Sequence, residues 1–348
     1  MIKDVTNLNS SASPPVGDTN RKSQEAVVDK LINLQKRPEF IVMPGDLLDC
    51  PTAPAGDGNP LHFPAVRDIW GNLIDGLEEQ SIPVADGLGN HDLWTGFGGE
   101  NVKGDIQQRN KKRIAEGSLF LPYGISTADN AANYGNKGYH YTWFFPLKKN
   151  GKKVLVAFFM LNNLPGNANR TDPGDTGHGH DEGTYAFGAL DYLKASMRTM
   201  ACMPDYDYKV GIPMFHINYG CDVNGDTHGN PERWWTYADK KALKDVLDKA
   251  PIKIVTAFFG HEHVRSIEKQ TLYIGDRKDP ANKTEYSGYR CACSIDKPRL
   301  NIIDLELVEE NGHCKIKITP RFIEVAKLTS TDDCLPMIKE ELQSCIEL

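Results

Sequence analysis

A chain of 348 residues, 40% hydrophobic and 25% charged, has the composition of an ordinary folded protein, which excludes collagen-like, coiled-coil and wholly disordered classes. No apolar run approaches the ~20 residues of a membrane-spanning helix; the longest, such as Val154–Leu161, suit buried strands. A net charge of −7, from 40 Lys+Arg against 47 Asp+Glu, disfavours a nucleic-acid partner.

Residues 1–22 are rich in Ser, Asn and Pro and read as an irregular segment without the charged-then-apolar pattern of a signal peptide. Val27, Val28, Leu31, Ile32 and Leu34 recur at helical spacing and predict a helix over Gln24–Gln35. A short strand over Glu39–Met43 follows, closed by Pro44-Gly45 with Asp46 as the first carboxylate beyond it. The alternation repeats: a helical period over Phe63–Gln80, a strand over Ile82–Ala85, then Gly87-Leu88-Gly89-Asn90. Past a polar stretch, strands are expected at Tyr139–Leu147, Lys153–Leu161, Tyr208–Phe215 and Ile252–Phe259, with helices at Gly188–Met200 and Ala238–Ala250. The remainder reads mostly as strands, at Thr271–Ile274, Tyr289–Ser294, Arg299–Leu307 and Cys314–Ile318. Strand–helix alternation followed by a run of strands predicts one mixed α/β domain over 23–325 with two packed sheets, and 326–348 is expected to be a helical extension. The polar insertions at 95–137, 162–186 and 219–234 are long for plain connections, as functional loops often are.

The eight cysteines do not fix a compartment. Only Cys291 and Cys293 are close, and in a strand their side chains alternate faces, unlike a zinc CxxC pair. Glycosylation-type triplets stand at Asn9, Asn169 and Asn282, but so short a pattern arises often by chance. Secreted or lumenal and cytosolic readings both remain open.

Four segments share one grammar, an apolar strand followed by a turn carrying metal-type donors: Phe40–Asp49, Pro83–Asp92, Val210–Gly220 and Ile254–His263. In α/β folds ligands gather beyond the carboxyl ends of the strands, so these turns can converge although they are distant in sequence. Asp46, Asn90, His216, His261 and His263 offer oxygen and imidazole donors, a set suited to Zn, Mn or Fe rather than to the all-oxygen shell of Ca. Each residue also has a plainer use. Asp46 and Asp49 serve as helix caps, and Gly89-Asn90 serves as a turn. A solitary histidine such as His62, His140 or His313 is ordinarily a surface or satisfied core residue. His178-Gly179-His180-Asp181-Glu182 reads as a solvated loop, and Trp234 and Trp235 as packing residues. Asp222, Asn224 and Asp226 begin like a calcium loop, but Thr227 and Arg233 stand where Gly and Glu are required.

Taken together, Gly45-Asp46-Leu47-Leu48-Asp49, Gly89-Asn90-His91-Asp92, His216 and Gly260-His261-Glu262-His263 resemble, in order, the GDxxD, GNHD/E, strand-end His and GHxH motifs of the calcineurin-like metallophosphoesterase superfamily. The resemblance spans about residues 24–305 and implies a four-layer sandwich of two mixed β-sheets flanked by helices. It implies two divalent transition-metal ions (Mn, Fe or Zn), with Asp46 shared between them. Asn90, His216 and His261 complete one site and His263 belongs to the other. His91 is implied beside the phosphate as proton donor or electrostatic stabiliser, with Asp92 orienting it. The substrate implied is a phosphorylated molecule, a phosphate mono- or diester. Gly45–Cys50 lacks the GDxVDRG signature of the Ser/Thr protein phosphatase branch.

One motif is missing. The superfamily opens with a DxH-like pair after its first strand, and no Asp-x-His stands near this N-terminus. Asp4-Val5-Thr6 is suitably spaced, but only Met1-Ile2-Lys3 precedes it; Asp18-Thr19-Asn20 follows Pro14-Pro15-Val16-Gly17, which is no strand. The expectation is a chain lacking its first strand, so that one metal site is incomplete; a divergent site using Asp4 and a true loss of one metal are the alternatives. The rival to the enzyme is a catalytically impaired member that binds a phosphorylated ligand or partner.

Overall fold

The computed structural model describes residues 28–29, 31–33, 37–45, 76–77, 79–80, 82–87, 89, 140–161, 189–218, 237–261, 266–274, 281, 283–291, 299–324, 337–338 and 342–348. In chain order the strands are β1 (Ile41–Met43), β2 (Val84–Asp86), β3 (Tyr141–Lys149), β4 (Lys152–Met160), β5 (Tyr208–Phe215), β6 (Lys253–Ile254), β7 (Phe258–Phe259), β8 (Glu268–Tyr273), β9 (Lys283–Arg290), β10 (Arg299–Glu310), β11 (His313–Glu324), β12 (Met337–Ile338) and β13 (Ser344–Glu347). Helix α1 (Ala189–Ala201) lies between β4 and β5, and α2 (Tyr237–Asp248) between β5 and β6.

The centre is a seven-stranded mixed sheet ordered β3-β4-β5-β7-β9-β8, with β6 also on β5. Its middle strands are apolar on both faces because both are covered. On β4, Val154, Val156, Phe158 and Met160 enter one apolar cluster, and Leu155, Ala157 and Phe159 the other. On β5, Val210, Ile212 and Met214 take the first face and Phe215 the second. A period of two with both faces buried pins the register, since a slip of one residue exchanges every side chain between the faces.

One cluster collects the helices. Leu190, Leu193, Met197 and Met200 of α1 and Leu243, Val246 and Leu247 of α2 pack there with Leu31 and Leu77. The stripe on α1 follows helical spacing, with Asp191 in its first turn and Arg198 in its last, the charge order the helix dipole favours. The opposite cluster takes Leu307 of β10 and Cys314, Ile316 and Ile318 of β11. These strands belong to a second, four-stranded sheet in which β11 pairs with β10, β12 and β13. The described residues thus show helices, a sheet and a second sheet in succession; the outer helical layer of the expected four-layer sandwich is not among them. β1 and β2 form a short parallel pair, held through Phe40, whose ring meets Phe158 at 4.9 Å and Trp143 at 5.6 Å.

The hairpins β3–β4 and β10–β11 both turn on Asn-Gly: Asn150-Gly151 with φ of 50° and 78°, Asn311-Gly312 with 55° and 80°. Two residues of positive φ make the turn whose twist matches antiparallel strands. The two tips touch through Lys149–Glu306 at 3.3 Å and Asn150 Nδ2 donating to Glu309 at 3.0 Å.

Two sequence expectations need correction. The strand expected over Ile252–Phe259 is interrupted. Gly211 pairs with Ile254 and Met214 with Phe258, so the β6–β7 side carries one residue more than β5, a bulge. Pro213, which has no N–H to donate, lies opposite the break. In place of the helical extension expected over 326–348, Met337–Ile338 and Ser344–Glu347 are strands on β11. What holds them is long-range: Ile346 pairs with Ile316, and Leu342, Ile346 and Leu348 pack into the inter-sheet cluster. The Tyr289 hydroxyl donates to the Leu342 carbonyl at 2.7 Å and lies 2.9 Å from Ser344 Oγ, tying this end to the central sheet as well.

Candidate functional site

Strands β4, β5, β7 and β9 run parallel, as do β1 and β2. The carboxyl ends of the four central strands therefore share one edge, the place where an α/β sheet presents its ligands. His216 follows β5 directly, and Gly260-His261 follows β7. The pairing continues one step past both strands, since the Gly260 N–H donates to the His216 carbonyl at 2.9 Å. The side chains then meet: His261 Nδ1 lies 3.3 Å from His216 Nε2, with ring centroids 5.1 Å apart and planes at 81°. His216 is buried and His261 half-buried.

His261 has φ of 69°, the left-handed region that a residue with a Cβ adopts rarely and at functional sites. Gly260, before it, is closely neighboured where a side chain would begin. A Cβ there would stand 3.1 Å from His216 Nδ1 and 3.4 Å from Pro44 Cγ. The end of β1 therefore reaches the histidine pair through Pro44, and Gly45 turns the chain away with φ of 123°, which glycine alone adopts freely. Beside β1, Gly87 donates its N–H to the Met43 carbonyl at 2.8 Å, and a Cβ on it would meet Met160 Sδ at 2.6 Å. The turns after β1 and β2 are thus fitted against the ends of β4 and β7.

Of the six residues expected in the site, the structure brings His216 and His261 together. Asp46, Asn90, His91 and His263 lie outside the described residues, as do Asp49, Asp92 and the segment 178–182; Gly45 and Gly89, the residues preceding Asp46 and Asn90, lie within them. Among the described residues no group of three or more His, Cys, Asp or Glu is placed to hold a metal ion.

The histidine pair suits a metal by its donor chemistry. Two ligands on a tetrahedral ion at ~2.0–2.1 Å stand roughly 3.3–3.4 Å apart, and His261 Nδ1 and His216 Nε2 are 3.3 Å apart. Without an ion the same separation serves an N–H···N hydrogen bond between one protonated and one bare nitrogen. Cys291, beyond β9, donates its backbone N–H to the Phe259 carbonyl at 3.0 Å, and desolvation pushes its thiol up to about 12. His140 is the satisfied core histidine expected of it, fully buried with its ring 5.5 Å from that of Tyr192. Burial, opposed by the hydrogen bond between its hydroxyl and Thr142 Oγ1 at 3.2 Å, raises the Tyr192 phenol well above its ordinary range. Sequence reading did not single out Asn218 and Lys240, both buried. Asn218 lies two residues past His216, and Lys240 sits in the first turn of α2, the helix that β5 leads into. Their burial gives no periodic signal, because each lies at an element's end rather than along its face.

No family profile and no curated protein sequence matches the chain. A solved structure titled "Structure of PhoD" is similar to it with a TM-score of 0.39 and 10% identity, over 90% of this chain and 69% of that one. So slight a likeness assigns neither fold nor activity. No helix among the described residues is long and apolar enough to cross a membrane.

Proposed function

We propose that this protein is a metal-dependent phosphoesterase that hydrolyses a phosphate mono- or diester by attack of metal-activated water. The observation that carries the reading is the contact between His216 and His261, 45 residues apart in the chain and 3.3 Å apart in space, at the shared edge where the Pro44-Gly45 turn also arrives. The ends of β1, β5 and β7 come close together and β2 pairs with β1, which supports the resemblance to the calcineurin-like metallophosphoesterases.

In this reading two divalent ions (Mn, Fe or Zn), when bound, supply a hydroxide nucleophile and neutralise charge on the phosphate. The chain's own part is positional. His216 and His261 would hold one ion together with Asn90 and Asp46, and Asp46 and His263 would serve the second. His91 acts on the phosphate, donating a proton to the leaving oxygen or steadying its charge, and Asp92 orients the ring. The mild acidity of the chain argues against a nucleic-acid substrate.

The test combines elemental analysis with hydrolysis of aryl phosphate mono- and diesters in added Mn or Zn. His216→Ala and His261→Ala are expected to lose bound metal and activity together, because each removes a donor. A wild-type protein that binds neither ion and cleaves neither ester refutes the reading.

A further inference from the structure

In the sequence Pro44 is punctuation between a strand and a carboxylate. In the structure it has a specific neighbour. Its Cγ lies 3.4 Å from the point where a Gly260 Cβ would stand, and His216 Nδ1 and Cε1 lie 3.1 and 3.5 Å from the same point. Two rings, one from the end of β1 and one from the end of β5, therefore close on one glycine at the end of β7. The contact is stiff on every side. The proline ring is locked in φ and has almost no side-chain freedom to lose. The Gly260 N–H is bonded to the His216 carbonyl at 2.9 Å. His261, the next residue, is held with φ of 69°, a conformation that relaxes unless its surroundings impose it.

We propose that Pro44 is a positioning residue: its ring buttresses Gly260 and so holds His261 in the left-handed conformation that brings Nδ1 to His216 Nε2. The positioning stands on this packing; its consequence for metal affinity rests on the two histidines being metal ligands. Removing the ring opens a space beside Gly260 into which the turn can relax, and the two nitrogens then part. Gly260→Ala acts from the opposite side by forcing a methyl between the rings, and Pro44→Ala makes room for that methyl.

The experiment uses the full chain, 15N-labelled and metal-free, with long-range proton–nitrogen spectra of the imidazoles. Pro44→Ala is expected to shift the ring nitrogens of both His216 and His261 while leaving those of His140, in the core beside Tyr192, in place. Gly260→Ala is expected to shift the same pair, and the double variant to lie closer to wild type than Gly260→Ala alone. Pro44→Val, which keeps a branched side chain against the glycine, should fall between wild type and Pro44→Ala and serves if the alanine variant fails to fold. Unmoved His216 and His261 signals in a folded Pro44 variant, or a double variant no better than Gly260→Ala, overturn the proposal. A parallel titration with Mn is expected to show about tenfold weaker binding in Pro44→Ala, the scale of an outer-shell support. A wild type that takes up no Mn refutes the ligand role of the histidines, and the apo spectra still decide the positioning.

Discussion

Gly288 offers a sharp measure of how tightly the histidine-bearing strand is held. It lies on β9, next to Tyr289, which pairs with Phe258 of β7. A Cβ at Gly288 would fall 2.5 Å from Phe259 Cε2 and 2.6 Å from the Ala257 carbonyl oxygen. The ring can swing aside; the carbonyl cannot, because it accepts the Tyr289 N–H at 2.8 Å. To reach ordinary contact with the new methyl, that oxygen must retreat by about 0.8 Å, enough to break the hydrogen bond. Overpacking of this kind costs about 1–3 kcal/mol, and the lost bond adds about 1, so Gly288→Ala should destabilise by about 2–4 kcal/mol. Two other glycines calibrate the figure. Gly312 has nothing within 4 Å of its would-be Cβ but has φ of 80°, so Gly312→Ala meets only the backbone term, about 1–2 kcal/mol. Gly76 has open space and no positive φ, so Gly76→Ala in its helical turn should stabilise by about 0.5–1 kcal/mol. Urea denaturation followed by far-UV circular dichroism ranks the three. Adding Phe259→Leu to Gly288→Ala should recover only the part due to the ring. If Gly288→Ala costs no more than Gly312→Ala, the pairing of β7 with β9 is wrong, and with it the placement of His261.

Three further outcomes are expected. His91→Ala should keep its metal content near normal yet slow hydrolysis by roughly 10²–10⁴-fold, the scale of a positioned acid or base; loss of metal comparable to that in His216→Ala would make His91 a ligand instead. Alkylation at pH 8 should label exposed Cys202 and Cys345 quickly and half-buried Cys291 far more slowly, because a thiol pushed by desolvation up to about 12 holds almost no thiolate at that pH; labelling of Cys291 as fast as that of Cys202 on mass-spectrometric mapping would refute the raised pKa. Asp248 is held below the usual carboxylate range chiefly by its hydrogen bond from Lys244, against the opposing effect of desolvation and with a further hydrogen bond from Tyr286. A depressed carboxylate contributes stability above its unfolded pKa of about 3.9 and loses it as pH falls through the folded value. Asp248→Asn should therefore cost a few tenths of a kcal/mol at pH 7, the scale of an exposed pair, and nothing in strong acid. A cost that persists there would assign the effect to packing.

The elements legible in the sequence were those whose periodicity is enforced by burial. Tyr208–Phe215 was readable to the residue because β5 is covered on both faces, and α1 was readable because its apolar residues form one stripe buried in a single cluster. The beginning of β9 was not readable: Lys283-Thr284-Glu285-Tyr286 alternates polar with half-buried residues near the sheet's edge, and edge strands carry a weak hydrophobic signal. The last residues were misread for a related reason. Four residues of β13 are too few to show a period, and what fixes them is long-range, the pairing of Ile346 with Ile316 and the hydroxyl of Tyr289. For the candidate site, local grammar singled out His216 and the turn at Gly260, because a donor directly after an apolar strand can be read without knowing which strands are neighbours. That β5 and β7 are neighbours is a property of the sheet order, which no local pattern carries.

The bulge shows why sheet order alone does not complete the account. Before it, Ile252 and Ile254 lie on the helix-covered side; after it, Ala257 and Phe259 do, with Val255 and Phe258 on the other. The extra residue opposite Pro213 has moved the phase of the strand by one, so even-numbered positions yield that face to odd-numbered ones. β7 enters Gly260 and His261 in the shifted phase. An unbroken strand over Ile252–Phe259, the sequence reading, delivers the glycine and the histidine to exchanged faces and leaves the Gly260 contact with Pro44 and His216 unmade. The interruption is therefore part of what aims the histidine, together with a backbone angle at His261 that the sequence gives no sign of: in Gly260-His261 the glycine is the natural candidate for a left-handed residue, yet it is the imidazole residue that adopts it.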